Sequence, residues 1–502
     1  MTVDQLAAML GCDICSSDDR PVKSVTQDSR RVTPGSVFCA LEGTESDGHR
    51  FARAAVDNGA VAIMGERTGL DNLEGVPYLR VREPRRVLGK LAHRLAGDPS
   101  RAMVVVGITG TNGKTSTVSL TKAALAASGC NTAAFGTLGY EIGDDVHPAR
   151  HTTPFAEDLA GMFLEANGAG MSHVVMEASS HALEQDRVAG IDFDVAAFTN
   201  LTQDHLDYHE NMGAYLAAKL KLFESVRGPG RFTVVNAADS SAAAFKDASK
   251  VPCYSFGEGG DCRAENVHSD GRENAGETPA LRTSETRFAA RTPWGDCVVT
   301  LHLRGDHNIA NALCALTICG GLGVPVERAA EGISSLESVP GRFESVDLGQ
   351  DFQVVVDYAH TEDGLRNVLE AARRITSGRI IVVFGCGGDR DKTKRPKMGM
   401  AAGRLADFAV ITSDNPRTED PYRIIDEIEP GMEHAGKKKD VEYRVIVDRK
   451  TAIYTAIGMA RTGDLVMIAG KGHEDYQILG TRRIHFDDRE VARAALGELQ
   501  RS

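Results

Sequence analysis

The segment Thr109–Ser116 has the residue types of a loop that binds phosphate. It reads Thr-Gly-Thr-Asn-Gly-Lys-Thr-Ser and follows a β-branched apolar run that begins at Val104. Glycines let backbone N–H groups face a phosphate, the N-terminus of a following helix adds positive potential, and Lys114 can reach the β- and γ-phosphate oxygens. Either Thr115 or Ser116 can hold Mg²⁺. The segment predicts an ATP site, although its first glycine stands at a different position from that in G-x-x-x-x-G-K-[ST].

A nucleotide site of this kind needs a second metal ligand, and Glu177 is the candidate. It ends the apolar run His173–Glu177, as the acid that follows a strand does in nucleotide-hydrolysing folds. A glutamate at the end of a strand can also cap a helix. The polar residues Ser179, Ser180 and His181 follow directly, and they favour a functional role.

The elements that position these residues are short β-branched runs, each followed by a helical stretch. Continuous apolar strands are buried on both faces and belong to parallel sheets covered by helices, so the sequence predicts an α/β fold. Ligands bind beyond the carboxyl ends of such strands. The predicted strands are 104–110, 173–177, 194–200, 232–236, 354–357, 380–385, 408–412 and 465–470.

Two changes in the sequence indicate domain boundaries. Gly97–Ser100 precedes the strand that leads into the phosphate loop, and Val339–Arg342 precedes a new series of strands. We therefore expect three domains, at 1–100, 101–340 and 341–502. Residues 257–297 are polar and rich in glycine, and they predict loops and antiparallel strands at the edge of the middle domain.

The composition excludes several classes of protein. The 502 residues are 42% hydrophobic and 25% charged, as in globular proteins, and the net charge of −13 argues against nucleic acid or an anionic membrane as partner. No apolar run approaches the roughly 18 residues of a membrane-spanning helix. The first residues lack the pattern of a signal peptide and the ten cysteines are scattered. These features predict a cytoplasmic protein.

Taken together, the motifs resemble those of the Mur ligases, the ATP-dependent amide-forming enzymes of peptidoglycan precursor synthesis. The resemblance covers essentially the whole chain, and the family's loop, Thr-Gly-Thr-x-Gly-Lys, explains the shifted glycine. It implies a UDP-substrate domain at 1–100, a central ATPase domain with a P-loop-type, mostly parallel sheet at 101–340, and a Rossmann-like, amino-acid-binding domain at 341–502. The motifs that carry it are 109–116, 151–154, 177–183, 199–201 with 204–207, 218–219, Asn308 with Asn311, 340–344, 357–360, 387–391, 414–417 and 470–474.

The resemblance implies a reaction as well. ATP would phosphorylate the γ-carboxylate of the D-Glu in UDP-MurNAc-L-Ala-D-Glu, and an amine of meso-diaminopimelate would attack the acyl phosphate. The products would be an amide, ADP and phosphate. ATP would be the co-substrate and Mg²⁺ the cofactor, and we expect the enzyme to act as a monomer.

The resemblance also assigns roles to residues. The catalytic group would be Lys114, Glu177, His205 and Lys219, and the last would carry a carbamate formed with CO₂. Thr115, Glu177, His205 and the Lys219 carbamate would hold the metal. ATP would contact Gly110, Thr111, Asn112, Gly113, Lys114, Thr115, Ser116, Asn311, Arg342, Asp357 and His360. The UDP-linked dipeptide would contact Ser29, His49, Thr152, Thr153, Ser179, Gln185 and Arg187.

The stretch Asp414-Asn415-Pro416-Arg417 bears on the amino-acid substrate. Diaminopimelate has a zwitterionic end beyond the attacking amine, which needs an anion for the ammonium and a cation for the carboxylate. Asp414 or Glu474 can supply the anion, and Arg390 or Arg417 the cation. Lysine lacks the distal carboxylate, and it would leave the guanidinium unpaired. The resemblance adds Asn415 and Gly470 to this site.

Three other functions remain open from the sequence. The acceptor could be lysine, or the chain could be a folylpolyglutamate synthetase-like ligase. Arg417 and the full-length resemblance count against both. A nucleotide switch without ligase chemistry would have no use for the charged residues of the third domain.

Overall fold

A computed structural model describes residues 1–13, 17–43, 46–68, 72–73, 75–149, 151–269 and 285–501. The chain divides into two compact units. The first comprises Met1–Gly107, Cys130–Ala196 and Lys221–Arg231, and the second comprises Ile108–Gly129, Ala197–Leu220 and Phe232–Ser502. None of the described helices is long and apolar enough to cross a membrane.

The first unit begins with a five-stranded sheet that has helices on both faces. Its strand order is β1-β2-β3-β5-β4, and only the β4–β5 pair is antiparallel. Alternate residues of β2 point to opposite cores: Val37 packs with helices α1 and α3, and Phe38 packs with α2. The elements are α1 Val3–Leu10, β1 Ser24–Thr26, β2 Ser36–Cys39, α2 Ala52–Asp57, β3 Ala60–Gly65, β4 Asn72–Leu73, β5 Val76–Arg80 and α3 Pro84–Leu95.

The middle of the chain contributes elements to both units. Those up to α6 are β6 Val104–Thr109, α4 Lys114–Ala127, β7 Thr132–Gly136, β8 Gly139–Ile142, β9 Asp145–His147, α5 Ala156–Gly168, β10 His173–Glu177 and α6 Ser180–Glu184. Those that follow are β11 Val195–Phe198, α7 Leu206–His209, α8 Met212–Ser225, β12 Phe232–Asn236, α9 Ala242–Ala248, β13 Cys253–Phe256, β14 Arg263–Ser269, β15 Thr286–Thr292, β16 Gly295–Leu301, α10 Asp306–Gly321 and α11 Val326–Ser334.

The pairing of these strands is mostly parallel near the predicted site. In the first unit the neighbours run β6-β10-β7-β8-β9, with β10 and β7 parallel and the β7-β8-β9 meander antiparallel. In the second unit β13, β12 and β11 are neighbours, and β12 and β13 are parallel. Strands β14, β15 and β16 form a separate antiparallel sheet.

The last third of the chain forms a six-stranded sheet of order β17-β18-β22-β19-β20-β21, parallel except at β17. Val355 faces a core shared with α12, α13 and α14, whereas Val354 and Val356 face a core shared with α15 and α16. The elements are β17 Glu344–Ser345, β18 Gln353–Asp357, α12 Glu362–Ile375, β19 Ile380–Phe384, α13 Arg395–Leu405, β20 Phe408–Ile411, α14 Pro421–His434, β21 Tyr443–Val445, α15 Arg449–Met459, β22 Leu465–Ala469, β23 Tyr476–Leu479, β24 Arg482–His485 and α16 Asp488–Leu499.

The predicted fold class is confirmed. All eight apolar runs are strands, and their residues are buried on both faces as parallel strands require. The antiparallel strands predicted within 257–297 are present as β14, β15 and the first part of β16, and residues 270–284 of that stretch lie outside the described residues.

Candidate active site

The phosphate loop lies between a strand and a helix, as its sequence predicts. Strand β6 ends at Thr109 and helix α4 begins at Lys114. Gly113 has a φ of +83°, which favours glycine. At Gly110 a Cβ atom would lie 1.8 Å from Oγ1 of Thr199, so a side chain there would displace the loop. The loop conformation therefore depends on both glycines.

Two ammonium groups converge on one carbonyl oxygen of this loop. Lys114 Nζ donates to the carbonyls of Gly110 and Thr111, each at 2.9 Å. Lys219 Nζ, on α8, donates to the same Gly110 oxygen at 2.8 Å and lies 4.4 Å from the ring centre of Tyr215. Burial and the charge of Lys114 hold the pKa of Lys219 well below its ordinary value. Lys114 therefore supplies positive charge that suits an anion, whereas its proximity disfavours the charged form of Lys219.

Residues beyond the predicted boundary at 340 contact this loop within the second unit. Arg342 Nη2 donates to Oγ1 of Thr115 at 2.9 Å, and Asn112 Nδ2 donates to Oδ2 of Asp363 at 2.9 Å. The next residue, Phe343, has a φ of +48°, a strained conformation of the kind found at functional sites. The structure thus brings Arg342 to the phosphate loop.

The carboxylate of Asp357 binds the backbone next to Arg342. It accepts hydrogen bonds from the backbone nitrogens of Phe343 and Ala359, both at 2.7 Å. Burial raises the pKa of Asp357. His360 follows, and its Nδ1 lies 2.9 Å from the carbonyl oxygen of Tyr358.

Asn311, one of the residues predicted to contact ATP, lies against the phosphate loop. A Cβ atom on Gly113 would be 2.5 Å from its Oδ1. Its Nδ2 donates to Oδ1 of Asn308 at 2.8 Å, as expected for two residues three apart on a helix. Ser116, in the first turn of α4, is buried.

His205 lies beside a buried carboxylate for which no role was predicted from the sequence. Its Nε2 is 3.3 Å from Oδ2 of Asp204, and its φ is +56°. Asp204 also pairs with Lys394 at 3.5 Å and His360 at 3.6 Å. Burial alone would raise the pKa of Asp204, but the charges of Lys394 and His205 hold it well below the ordinary value.

In the first unit, Glu177 is almost completely buried at the end of β10. Its Oε1 accepts a hydrogen bond from the backbone nitrogen of Thr137 at 2.8 Å, and its carbonyl accepts one from Thr153 Oγ1 at 2.8 Å. Thr152 Oγ1 accepts from the hydroxyl of Thr137 at 3.3 Å.

The remaining predicted substrate residues of this unit adjoin the same cluster. Ser179 donates its backbone N–H to Thr153 Oγ1 at 3.0 Å, and its own hydroxyl caps α6. Arg187 donates to the carbonyl of Thr153 at 3.0 Å and to Oε1 of Gln185 at 2.8 Å, and its guanidinium lies over the ring of Phe155. Six of the predicted residues therefore form one group: Thr152, Thr153, Glu177, Ser179, Gln185 and Arg187.

A cavity of about 1170 Å³ opens next to this group, and Ser29 is among the residues that line it. The six residues of the group do not line it, and neither does His49. Both of its ring nitrogens are engaged, with Asp47 Oδ1 and the Tyr78 hydroxyl each at 2.8 Å. The cavity is also lined by Tyr140, His151 and Phe155, whose position the sequence alone did not predict.

The predicted acceptor residues come together at the carboxyl ends of β19, β20 and β22. Arg417 has a φ of +51°, and its Nη1 donates to the carbonyl of Gly388 at 2.8 Å. A Cβ atom on Gly387 would lie 3.0 Å from that Nη1 and 3.7 Å from Cγ of Arg390, so the two arginines flank one glycine. Burial and the charge of Arg390 lower the pKa of Arg417.

Two carboxylates lie in the same region. Asn415 Nδ2 donates to Oε2 of Glu474 at 3.0 Å, and a Cβ atom on Gly470 would lie 3.1 Å from Oδ2 of Asp414. Burial and the charge of Asp414 raise the pKa of Glu474. Burial opposes ionisation of Asp414 too, but the charge of Lys471 lowers its pKa below the ordinary value. The site therefore has cationic groups that suit the carboxylate of a zwitterion and carboxylates that suit its ammonium group.

Comparison with known proteins places this chain among ligases. Family models match three consecutive parts of it: the Mur ligase family catalytic domain at 21–95, the Mur ligase middle domain at 108–319 and the Mur ligase glutamate ligase domain at 341–472.

Two curated relatives are both named UDP-N-acetylmuramoyl-L-alanyl-D-glutamate–2,6-diaminopimelate ligase. The protein of Syntrophomonas wolfei is 45% identical, with 94% of each chain covered. That of Bacillus licheniformis is 43% identical, with 96% of each chain covered. A solved structure with the same name is 31% identical, with a TM-score of 0.67 and complete coverage of both chains. The MurF ligase of Thermotoga maritima shares the fold at 19% identity and a TM-score of 0.63, with 96% of this chain and 99% of that chain covered.

Proposed function

Because the chain belongs to the Mur ligase family, we propose that it joins meso-diaminopimelate to the D-Glu γ-carboxylate of UDP-MurNAc-L-Ala-D-Glu. The reaction consumes ATP and supplies a tripeptide precursor of peptidoglycan. Relatives that carry the corresponding name match nearly the full length of the chain, which supports this assignment.

The observation that carries the choice of acceptor is the grouping of Arg390 and Arg417 with Asp414 and Glu474. The charge of Arg390 lowers the pKa of Arg417, and the charges of Asp414 and Glu474 raise it. Such a group fits a zwitterion with one carboxylate and one ammonium. We assign the distal carboxylate to Arg417, whose planar guanidinium can bind it through two hydrogen bonds. Asn415 and Gly470 complete the acceptor site.

The chemistry follows from the poor reactivity of a carboxylate, whose leaving group would be oxide. Transfer of the γ-phosphoryl group of ATP to a carboxylate oxygen releases ADP and forms an acyl phosphate. The amine then attacks the acyl carbon, the C–O bond breaks, phosphate leaves and the amine loses a proton. Both steps bring anions together, so cations and positioning dominate catalysis.

The phosphate groups of ATP are assigned to Gly110–Ser116 and Arg342. Nε of Arg342 is buried and has no hydrogen-bond partner among the described residues. A phosphate oxygen could accept this hydrogen bond, which supports the assignment. Asn311, Asp357 and His360 are assigned to the rest of the nucleotide.

Three of the four groups assigned to the metal offer the oxygen ligands that Mg²⁺ prefers, and His205 would add an imidazole nitrogen. Thr115, Glu177, His205 and a carbamate on Lys219 would hold it. When bound, Mg²⁺ neutralises charge on the phosphate oxygens. The carbamate is supported by the family resemblance and by the burial of Lys219, which lowers the pKa of its amino group and so favours the neutral form that reacts with CO₂.

The UDP-linked dipeptide is assigned to the first unit. Ser29 and His49 would contact the UDP moiety. Thr152, Thr153, Ser179, Gln185 and Arg187 would contact the muramoyl peptide. Within the first unit, the cavity that Ser29 lines supports the assignment of the UDP moiety, since it has room for a large ligand.

We further propose that the three functions correspond to domains at 1–100, 101–340 and 341–502. ATP and a nucleotide-linked precursor are cytoplasmic metabolites, so the enzyme acts in the cytoplasm. We expect it to act as a monomer.

The test is phosphate release by the purified protein with ATP, Mg²⁺ and UDP-MurNAc-L-Ala-D-Glu. Diaminopimelate, lysine and ornithine are compared as acceptors. We expect release with diaminopimelate to exceed that with the other two on the order of 100-fold or more. The variant Lys114→Met serves as the inactive control.

Two outcomes would contradict the proposal. Faster release with lysine than with diaminopimelate would overturn the choice of acceptor. Release that needs no acceptor, or ATP binding without release, would overturn the ligase reaction.

A further inference from the structure

Lys471 is a fully buried cation inside the acceptor site. It follows β22 in the segment Gly470-Lys471-Gly472, and its side chain has no solvent exposure. Its Nζ donates to Oδ1 of Asn415 at 2.9 Å and to the carbonyl of Tyr476 at 2.8 Å. The same nitrogen lies 3.3 Å from Oδ1 of Asp414 and 3.7 Å from Oε2 of Glu474. One ammonium group thus contacts three residues that we assign to the acceptor.

A buried ammonium persists only where hydrogen bonds and opposite charges compensate its lost hydration. Here the compensation comes from the residues that would bind substrate. Arg449, the other buried cation near Asp414, is paired with Asp488 at 2.7 Å, and neither side chain is exposed. Lys471 is therefore the buried cation whose charge is balanced within the acceptor site itself.

We propose that Lys471 is a positioning residue that sets the charge and geometry of the acceptor site. The inference rests on the proposed function. With Asp414 and Glu474 it leaves one net negative charge, which matches one substrate ammonium. It also fixes the Asn415 side chain, which in turn donates to Glu474. Lys471 does not touch the reacting atoms, because its ammonium is enclosed by protein.

A purely structural role in holding the β23–β24 hairpin is the alternative, since Lys471 also bonds Tyr476. Contacts made by other residues also hold this hairpin. Gln477 Nε2 donates to the carbonyl of Asp414 at 2.7 Å, and Ile478 donates its backbone N–H to Oδ1 of Asn415 at 3.0 Å. Arg417 and the hairpin exchange two further backbone hydrogen bonds, with Ile478 and Gly480. We therefore expect the hairpin to stay in place when the ammonium is removed.

The experiment compares Lys471→Met with wild type and with Lys450→Met, a variant of an exposed lysine in the same part of the chain. We expect Lys471→Met to raise the KM for diaminopimelate more than tenfold and to change the KM for ATP less than twofold. Thermal melting shows whether the variant folds. If it does not, Lys471→Arg keeps the charge but changes the geometry, and we expect the same selective rise in KM.

A charge role also predicts coupling with Glu474. The rise in KM caused by Glu474→Gln should be smaller when Lys471 is already methionine, because the double variant keeps one net negative charge. Additive effects, or equal rises in both KM values, would overturn the inference. If wild type were active only with another amino acid, the proposed acceptor would be wrong and the same comparison with that amino acid would decide the role of Lys471. If no amino acid supported release, both proposals would fall.

Discussion

The guanidinium of Arg342 donates a hydrogen bond to the hydroxyl oxygen of Thr115 across 2.9 Å. Arg342 follows the last helix before the C-terminal sheet, and Thr115 is in the first turn of α4. A residue from the start of the C-terminal part therefore lies at the loop proposed to bind phosphate. Its approach depends on the left-handed conformation of Phe343 and on the Asp357 carboxylate.

We predict that Arg342→Ala raises the KM for ATP about tenfold or more, because a charge-assisted hydrogen bond to phosphate is lost. The KM for diaminopimelate should change much less. Steady-state kinetics with each substrate varied in turn measures both values. Arg328→Ala, which removes an exposed arginine paired with Glu331, is the control and should behave as wild type. An unchanged KM for ATP in Arg342→Ala would contradict the assignment.

Arg417→Ala should raise the KM for diaminopimelate on the order of 100-fold, because the distal carboxylate loses its partner. The KM for ATP should stay within about twofold of the wild-type value. Arg417→Lys keeps the charge but not the two-pronged geometry, and an intermediate effect is expected. The exposed Arg461→Ala is the control. Equal effects on both KM values would show that Arg417 does not bind the acceptor.

Lys219→Met should reduce the turnover number on the order of 100-fold or more, since it removes a proposed metal ligand next to the transferred phosphate. Incubation with ¹³C-labelled bicarbonate should give a carbamate signal by NMR in wild type and none in the variant. Lys221→Met, two residues away and half-buried in an ion pair with Glu184, should retain both the signal and the activity. A wild-type protein without the signal would contradict carbamylation.

We predict that the buried side chain of His93 makes the folded protein less stable at acidic pH. Its side chain is buried in α3 against Phe163, and within the described part of the chain neither ring nitrogen has a hydrogen-bond partner. Burial lowers the pKa of His93 from 6.5 to about 4. As the pH falls, His93 is therefore protonated in the unfolded chain before it is protonated in the folded protein. We expect this residue to lower the free energy of unfolding by about 2 kcal/mol between pH 7 and pH 5.

Urea unfolding at the two pH values measures this effect. His93→Leu should lose less stability than wild type over the same interval, and the exposed His434→Gln should lose as much as wild type. The same loss in His93→Leu as in wild type would show that His93 is not the source.

The strands were predictable because parallel strands buried on both faces must be continuously apolar, and Ile380–Phe384 is a clear case. The phosphate loop was predictable because its determinants are consecutive. Asp204 lies in one of the quoted motifs, but its role was not predictable because its partner Lys394 is 190 residues away and only the fold brings them together. The role of Lys471, which lies in another motif, was not predictable for the same reason, since its partners Asp414 and Asn415 precede it by 57 and 56 residues. His49 illustrates a different limit, because the sequence could not show that Asp47 and Tyr78 engage both ring nitrogens.

The meeting of Lys114 and Lys219 on the Gly110 carbonyl has a practical consequence for handling the protein. In the protein without the carbamate on Lys219, a bound anion would offset the unfavourable interaction between the two amino groups, so inorganic phosphate or sulfate in a buffer should compete with the nucleotide. Kinetic work is best done in zwitterionic buffers. Compact dianions are a rational starting point for inhibitors of this loop.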